Sequence, residues 1–292
     1  MIVVTGATGF LGGFVVRELL KEGLPFKCLV RSSSDVTYLQ ECGVEMVYGD
    51  LDEDDTLFDA FRGSDTLVNL ASLGFGHAPN ILEAATGCGL SRAVFISTTA
   101  IFTRLEPQSK QVRVEAEKAV ESSGLAYTIL RPTMIYGTGK DRNMARLVKF
   151  VHKFPLVPVL GDGTRLLQPV YVKDLARAVV KVLNDKEKTA YKAYNLAGKN
   201  PLTYNETVDE VARALGKRIK KVHLPVGMAL PALRVYNALF KKPLFTEEQV
   251  LRLQEDKAFS YQEAQDDFSF SPRSFQEGIR LEVEDMRRQG ML

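Results

Sequence analysis

The chain has 292 residues, 45% hydrophobic and 25% charged, with a mean hydropathy close to zero. That suits one large α/β domain, or a main domain with a smaller lobe, and a core that needs no staples. A formal net charge of +2, with Lys and Arg interspersed among Asp and Glu, gives no global field to steer nucleic acid or a membrane. The apolar stretches are too short or too interrupted to span a bilayer. His77, His152 and His223 lie far apart without ligand spacing, so no metal site is expected. Cys28, Cys42 and Cys88 form no CxxC pair, which suits a reduced, cytoplasmic compartment.

In chain order, Ile2-Val3-Val4 opens as a strand and leaves no room for a leader peptide ahead of it. Phe10 to Lys21 carries apolar residues at helical spacing and stops at Gly23. Phe26 to Val30 is the second strand, Val36 to Glu41 a helix ending at Cys42-Gly43, and Val44 to Tyr48 the third strand. Asp54 to Phe61 is a short helix with acids in its first turn, where the helix dipole favours them. Thr66 to Leu70 is the fourth strand, a helix follows Pro79, and Ala93 to Ile96 is the fifth strand. Val112 to Ser122 is helical up to Gly124, and Tyr127 to Leu130 is a sixth strand stopped by Arg131-Pro132. This alternation predicts a doubly wound parallel sheet covered on both faces. Beyond it, Pro155, Pro158, Gly161 and Gly163 mark a loop-rich passage, Val170 to Val172 and Lys192 to Leu196 are strands around a helix, and the chain is mainly helical after Pro201. No internal repeat, low-complexity tract or flexible linker is present.

The segment Thr5-Gly6-Ala7-Thr8-Gly9-Phe10-Leu11-Gly12 joins the first strand to the first helix. Gly6 allows the tight turn, Gly9 lets a pyrophosphate approach the backbone, and Gly12 lets the helix pack close to the sheet. The helix N-terminus then offers N–H groups and a positive dipole to phosphates. In its strand–turn–helix context this is the fingerprint of a Rossmann-type nicotinamide-dinucleotide site. The expected division is residues 1–136 and 170–199 for the dinucleotide domain, and 137–169 and 200–292 for a small, mainly helical, substrate-binding C-terminal lobe. NAD-binding proteins often carry an acid at the end of the second strand, on the ribose 2′-hydroxyl. Here Arg31, Ser32, Ser33 and Ser34 stand there, which suits a 2′-phosphate and makes NADP(H) the preferred cofactor. Two alternatives stay open: Arg31 is a solvated residue before a serine cap, or Asp35 turns inward and NAD(H) binds. Gly49-Asp50-Leu51 lies at the adenine edge, with Asp50 either a partner of the adenine amino group or a turn residue.

The spacing TGATGFLG resembles the extended or atypical branch of the short-chain dehydrogenase/reductase superfamily, and later segments resemble it too. Val94-Phe95-Ile96-Ser97-Thr98-Thr99 is similar to the strand that ends in the active-site Ser or Thr. Arg131-Pro132-Thr133-Met134-Ile135-Tyr136-Gly137 is similar to the motif beside the nicotinamide. Gly161-Asp162-Gly163, Gln168 to Ala176, Tyr194 to Gly198 and Leu202-Thr203 resemble the return segment of nucleotide-sugar epimerases and dehydratases. The match covers nearly the whole chain, is weakest from Val226 to Phe245, and is nearest to NAD-dependent epimerase/dehydratase proteins. The subunit-type relatives attached to respiratory complex I share many of the motifs. The resemblance implies cofactor contacts at Asn69, Ala71, Ser72, Ser97, Pro132, Thr133 and Met134. It implies an NAD(P)-binding oxidoreductase or epimerase/dehydratase-like protein acting on a small molecule such as a nucleotide sugar. Homodimers of this superfamily use paired helices, which the helices at Asp59 and Val112 could supply.

The family's chemistry uses a Tyr-x-x-x-Lys pair on the helix after the fifth strand, where the phenolate exchanges a proton with the substrate as hydride moves. From Thr103 to Ala126 there is no tyrosine. Aligning on Glu115-Ala116-Glu117 puts Ser109 at the tyrosine position and Arg113 at the lysine position. The only literal spacing, Tyr136 to Lys140, falls in a loop and reads as coincidence. Ser109 is a poor base and Arg113 stays protonated, so Lys110, one turn from Arg113, is the substitute to weigh against a solvated surface lysine. Thr99 aligns with the active-site hydroxyl, or is a strand-end cap. The expected catalytic set is Thr99, Lys110 and Arg113, with Thr98, Arg142 and Gln168 toward the substrate. Asn69 and Ser72 could instead satisfy loop backbone, and Arg142 could pair with Asp141. Val226 to Phe240 is an apolar stretch read as core packing before a membrane-surface or partner helix, with Met134 and Met228 as gap-fillers. The rival class is a non-catalytic NADP(H)-binding redox sensor or structural subunit.

Overall fold

The structure is a computed structural model and describes residues 1–105, 107–227 and 251–292. Its central sheet is built from β1 (Ile2–Thr5), β2 (Phe26–Val30), β3 (Glu45–Tyr48), β4 (Thr66–Asn69), β5 (Arg92–Ile96), β6 (Ala126–Pro132) and β11 (Lys192–Leu196). The order is β11-β6-β5-β4-β1-β2-β3, and every neighbouring pair is parallel. The chain winds outward from β1 to β3, returns to β4, and winds the other way. That reversal opens a crevice at the carboxyl ends of β1 and β4, where open α/β sheets bind ligands.

Helices α1 (Gly12–Lys21), α2 (Thr37–Glu41), α3 (Asp54–Phe61), α4 (Ala78–Gly87) and α5 (Gln108–Glu121) connect the strands. Strands covered on both faces must be apolar throughout, and β1, β2, β4 and β5 are buried at every position. Val4, Val68 and Val94 pack against Val15, Val16 and Leu19 of α1. Their neighbours Val3, Leu67 and Phe95 turn to Leu57, Phe61, Ile81 and Val120 on the opposite face. This is the period of two expected for strands.

Several boundaries differ from expectation. Helix α1 starts at Gly12 rather than Phe10, because residues 6–11 are spent on the turn. Helix α5 starts four residues before Val112. The passage expected to be loop-rich contains β8 (Leu156–Leu160), which pairs in parallel with β13 (Lys220–Leu224). Pro158 fits there because a two-stranded sheet leaves open edges. Two short pairings flank the lobe: β7 (Ile135–Tyr136) with β10 (Val170–Tyr171), and β9 (Leu166–Leu167) with β12 (Leu202–Thr203). The lobe's helices are α6 (Met144–Lys153), α9 (Tyr204–Leu215), α10 (Gln262–Phe268) and α11 (Phe275–Arg288), with α7 (Val172–Asn184) and α8 (Lys186–Thr189) returning to β11. Reciprocal capping boxes, Thr203–Glu206 and Ser274–Glu277, start α9 and α11. From residue 228 onward the apolar stretch Val226 to Phe240, with Met228, lies outside the described residues.

Tyr136, Met144, Val148, Val208, Val211, Ile279 and Val283 form the lobe's own core. At its edge the buried Glu282 faces Asp141. One Asp141 oxygen accepts from the N–H groups of Asn143 and Ala145, at 3.1 and 3.0 Å. The other oxygen and both Glu282 oxygens lack a partner among the described residues unless a proton is shared. A protonated Glu282 donating to Asp141 resolves that arrangement, since a buried unpaired carboxylate is far costlier than a shared proton. Burial, then the Asp141 charge, pushes Glu282 up to about 10. An unfolded glutamate ionises near about 4.3. Between those values the folded state holds one proton more, so this group lowers stability as pH rises. Glu282→Gln keeps a donor and no longer titrates. Thermal melts from about pH 6 to about pH 9 should show a shallower loss in the variant than in the wild type; parallel curves would mean Glu282 is ionised in the fold.

Candidate active site

The crevice is assembled from the tip of β1. Thr5 Oγ1 donates to Asn69 Oδ1 at 2.5 Å, and Asn69 Nδ2 donates to the carbonyl of Ala71 at 3.1 Å. Both side chains are buried, so they lock the tips of β1 and β4 together beneath the crevice. Their polar atoms serve the loop backbone, one of the two roles read for Asn69. Gly6, with φ +70°, lies so close that a Cβ there would sit 2.7 Å from the Ala71 nitrogen. Gly9 closes the turn with N–H to Gly6 O at 3.0 Å. Gly12 is needed for a different contact than expected: a Cβ would overlap the carbonyls of Gly6 and Ala7, the turn itself. The N-cap of α1 is Leu11, which gives no side-chain cap, and the first turn carries no acid. Gly13 N–H reaches Gly9 O at 3.4 Å and Phe14 N–H reaches Leu11 O at 3.0 Å, and the dipole of this helix end favours an anion such as a pyrophosphate.

Arg31, Ser32 and Ser33 are exposed beyond β2, and Thr8 Oγ1 lies 3.5 Å from Ser34 Oγ. Asp35 is exposed and stands in the cavity wall beside the glycine turn. It accepts from the Thr37 N–H at 3.1 Å, and its bonds to Thr37 hold its carboxyl below the usual range, with Lys140 adding a smaller effect. Asp50 likewise serves its turn, accepting from Asp52 N–H at 3.3 Å, while its own N–H donates to Thr56 Oγ1 at 3.1 Å. The half-buried Leu51 gives its carbonyl to Asn80. A cavity of about 610 Å³ adjoins the glycine turn, with Thr8, Gly9, Phe10, Asp35, Lys140 and Arg142 in its wall. Arg142 thus sits beside the phosphate turn, and Thr99, Arg113 and Gln168 are not in that wall.

At the other end, Ser72 caps a one-turn helix by accepting from Gly74 N–H at 3.2 Å. Thr98 does the same for the turn Thr99–Phe102. Thr99 is buried, and its hydroxyl reaches the Pro132 carbonyl at 3.3 Å. Ser97 donates to Glu117 on α5. Glu117 in turn grips Arg131 of β6, with Nη2 at 2.5 Å and Nε at 3.0 Å. Arg131 lies 5.5 Å over the Phe102 ring. Thr133 donates to the Gln168 carbonyl at 2.5 Å, and Met134 packs against the lobe core. Gln168 is occupied at both ends of its amide: Nε2 donates to Gly198 O at 2.7 Å and Oε1 accepts from Phe259 N–H at 2.8 Å. It ties segments together rather than projecting a free group toward a substrate.

Arg113 extends from α5 across Gly74, where a Cβ would come within 2.8 Å of its guanidinium, and donates to Ser109 O at 3.0 Å. Burial first, and then the nearby Arg252, lower its pKa. Lys110 is half-buried one turn earlier. Sequence reasoning missed the segment that returns across this region. Glu255 accepts from Thr103 Oγ1 at 2.6 Å and from Arg104 N–H at 2.7 Å. Lys257 is tethered through its N–H to Leu166 O at 2.8 Å. Burial and Arg252 lower the Lys257 pKa, and Glu255 opposes them. Glu255-Asp256-Lys257 reads in sequence as a solvated charge run, and no local signal marks it. Among the described residues no cluster could hold a metal ion, and no helix is long and apolar enough to cross a membrane.

Comparison with known proteins follows from this geometry. Residues 1–265 match the NmrA-like family. The chain is 29% identical over 252 residues to the Arabidopsis thaliana mitochondrial NADH dehydrogenase [ubiquinone] 1 alpha subcomplex subunit 9, covering 79% of this chain and 62% of that protein. It is 28% identical over 253 residues to the ceramide reductase of Caulobacter vibrioides, covering 77% and 74%. In fold it superposes on Thermus thermophilus UDP-glucose 4-epimerase, solved with NAD, with a TM-score of 0.73 and 22% identity over 98% of each chain.

Gly12→Ala tests the turn. Its methyl must displace backbone, and overpacking of that kind costs about 1–3 kcal/mol. The variant should melt lower and lose about tenfold or more in NADPH affinity, read by nicotinamide fluorescence. Gly13→Ala, whose Cβ meets nothing within 4 Å, should keep both properties.

Proposed function

The chain belongs to the NmrA-like family, and we propose that it is an NADP(H)-dependent oxidoreductase acting on a hydroxyl or carbonyl compound. It is an NAD(P)-binding protein of the oxidoreductase and epimerase-like type. The observation that carries the NADP(H) preference is the pairing of an exposed Arg31 and its serines with an Asp35 already committed to Thr37. That end of the crevice offers a cation and hydroxyls to a 2′-phosphate, while Asp35 in the cavity wall already accepts from the Thr37 N–H.

When bound, the dinucleotide exchanges a hydride with the substrate at its nicotinamide ring. The uncapped α1 N-terminus holds the pyrophosphate, and residues 71–72 and 132–134 flank the ring. Thr99 holds the substrate oxygen. Arg113 remains charged and orients an electron-rich group. The proton falls to a lysine, either Lys110 or the half-buried Lys257, whose lowered pKa makes its ammonium the readier donor. In this reading residues 1–136 and 170–199 carry the cofactor, and 137–169 with 200–292 shape the substrate side. The relative named a ceramide reductase supports reduction of a carbonyl compound. The epimerase-like fold keeps a nucleotide sugar as the second substrate reading. A cytoplasmic homodimer is compatible with this assignment.

Side-by-side titration with NADPH and NADH tests the cofactor assignment. A charge-assisted contact contributes about 1.5–3 kcal/mol, so NADPH should bind about tenfold or more tighter, and Arg31→Ala should bring the two affinities together. Equal affinities in the wild type would overturn it. Thr99→Val should abolish turnover and leave NADPH affinity intact; unchanged turnover would remove Thr99 from the catalytic set.

A further inference from the structure

The substrate lobe carries an apolar face that its own core does not use. In β8, Val157 and Val159 are buried while Leu156 and Pro158 are exposed. The parallel register sets Leu156 beside Lys220, Pro158 beside Val222 and Leu160 beside Leu224. Leu156 is 53% exposed, Val222 45% and Leu224 44%. The face continues through Phe154, 42% exposed, whose ring lies 4.9 Å from that of Phe150 on α6. Single exposed apolar side chains are ordinary, but a contiguous row of this kind marks a contact surface.

Along the two segments that build it, the charges have one sign. From Met144 to Leu160 the sequence contains Arg146, Lys149 and Lys153 and no acid. From Gly216 to Gly227 it contains Lys217, Arg218, Lys220 and Lys221 and no acid, and along the sequence the next acid is Glu247. Lys221 is paired with Asp209 of α9, and Lys217 donates to the His152 carbonyl. Lys149, Lys153 and Lys220 are exposed; the Lys153 ammonium lies 5.4 Å over the Phe154 ring, and Lys220 stands in the row itself. A chain with a net charge of only +2 thus concentrates cations around its exposed apolar row. A bilayer interface rich in anionic headgroups complements both features: apolar side chains enter the acyl boundary while lysines meet the phosphates.

We propose that this face, built from the C-terminal end of α6 and the β8–β13 pair, docks the protein reversibly on an anionic lipid surface. The proposal does not depend on the catalytic reading. The full chain should co-sediment with vesicles of phosphatidylcholine and phosphatidylglycerol, weakly or not at all with phosphatidylcholine alone, and less as salt rises. The double variant Leu156→Asp, Val222→Asp should lose at least about tenfold in vesicle affinity, with its NADPH titration unchanged as proof of fold. Lys153→Gln with Lys220→Gln should weaken binding and flatten its salt dependence. Failure of the wild type to bind anionic vesicles would overturn the proposal, as would binding indifferent to these substitutions. So would a dimer of this chain, found by analytical ultracentrifugation, that the Asp variant dissociates while vesicles remain unbound.

Discussion

The structure depends on one close approach of backbone to backbone. Gly6 is pressed against Ala71 at the tip of β4, and Gly12 against the carbonyls of Gly6 and Ala7. No side chain fits at either contact. Because the turn is this tight, α1 starts immediately over the crevice with Leu11 at its cap position. The start of such a helix, with no side-chain cap and no acid in its first turn, favours an anion through its dipole. The buried Thr5–Asn69 bond holds the two strand tips that define the crevice. The binding of a dinucleotide thus follows from packing at the turn, with few side-chain contacts needed.

Two largely buried ionic ties hold segments in place, one between α7 and the C-terminal segment and one within the sheet domain. Asp174 at the start of α7 accepts from Arg273 ahead of α11 through both guanidinium and backbone, and Arg273 lies 4.2 Å over the Tyr171 ring. Glu117 links Ser97 of the β5 tip to Arg131 of β6. Such pairs are weak arguments for stability but strong ones for register, because leaving one partner unpaired is costly. The second tie fixes the tips of β5 and β6, beside which the Thr99 hydroxyl reaches the Pro132 carbonyl. Without a family tyrosine, that positioning matters more.

Charge in this chain is informative by location rather than by sum. Near balance overall hides a cationic cluster in which Arg252 lies near both Arg113 and Lys257. It also hides the two acid-free segments, 144–160 and 216–227, that build the β8–β13 face. Neither is visible in a net charge or in a periodicity, because each joins residues far apart in the chain.

The sequence by itself determined the parallel sheet, the two-sided winding and the dinucleotide turn. These rest on periods of two and 3.6 and on glycines whose backbone demands are local. Strands β1 to β6 were legible for that reason, as was the departure from the tyrosine pattern. Only the tertiary structure decided which polar groups are spent on the protein itself. Asp35 goes to Thr37, Gln168 to Gly198 and Phe259, and Ser97 to Glu117. It alone brought Glu255 back to Thr103 and Lys257 to Leu166, and it alone paired β8 with β13 across sixty residues of chain. The physical reason is that hydrogen-bond satisfaction and desolvation are settled by neighbours in space, whereas backbone periodicity and glycine conformation are settled by neighbours in sequence.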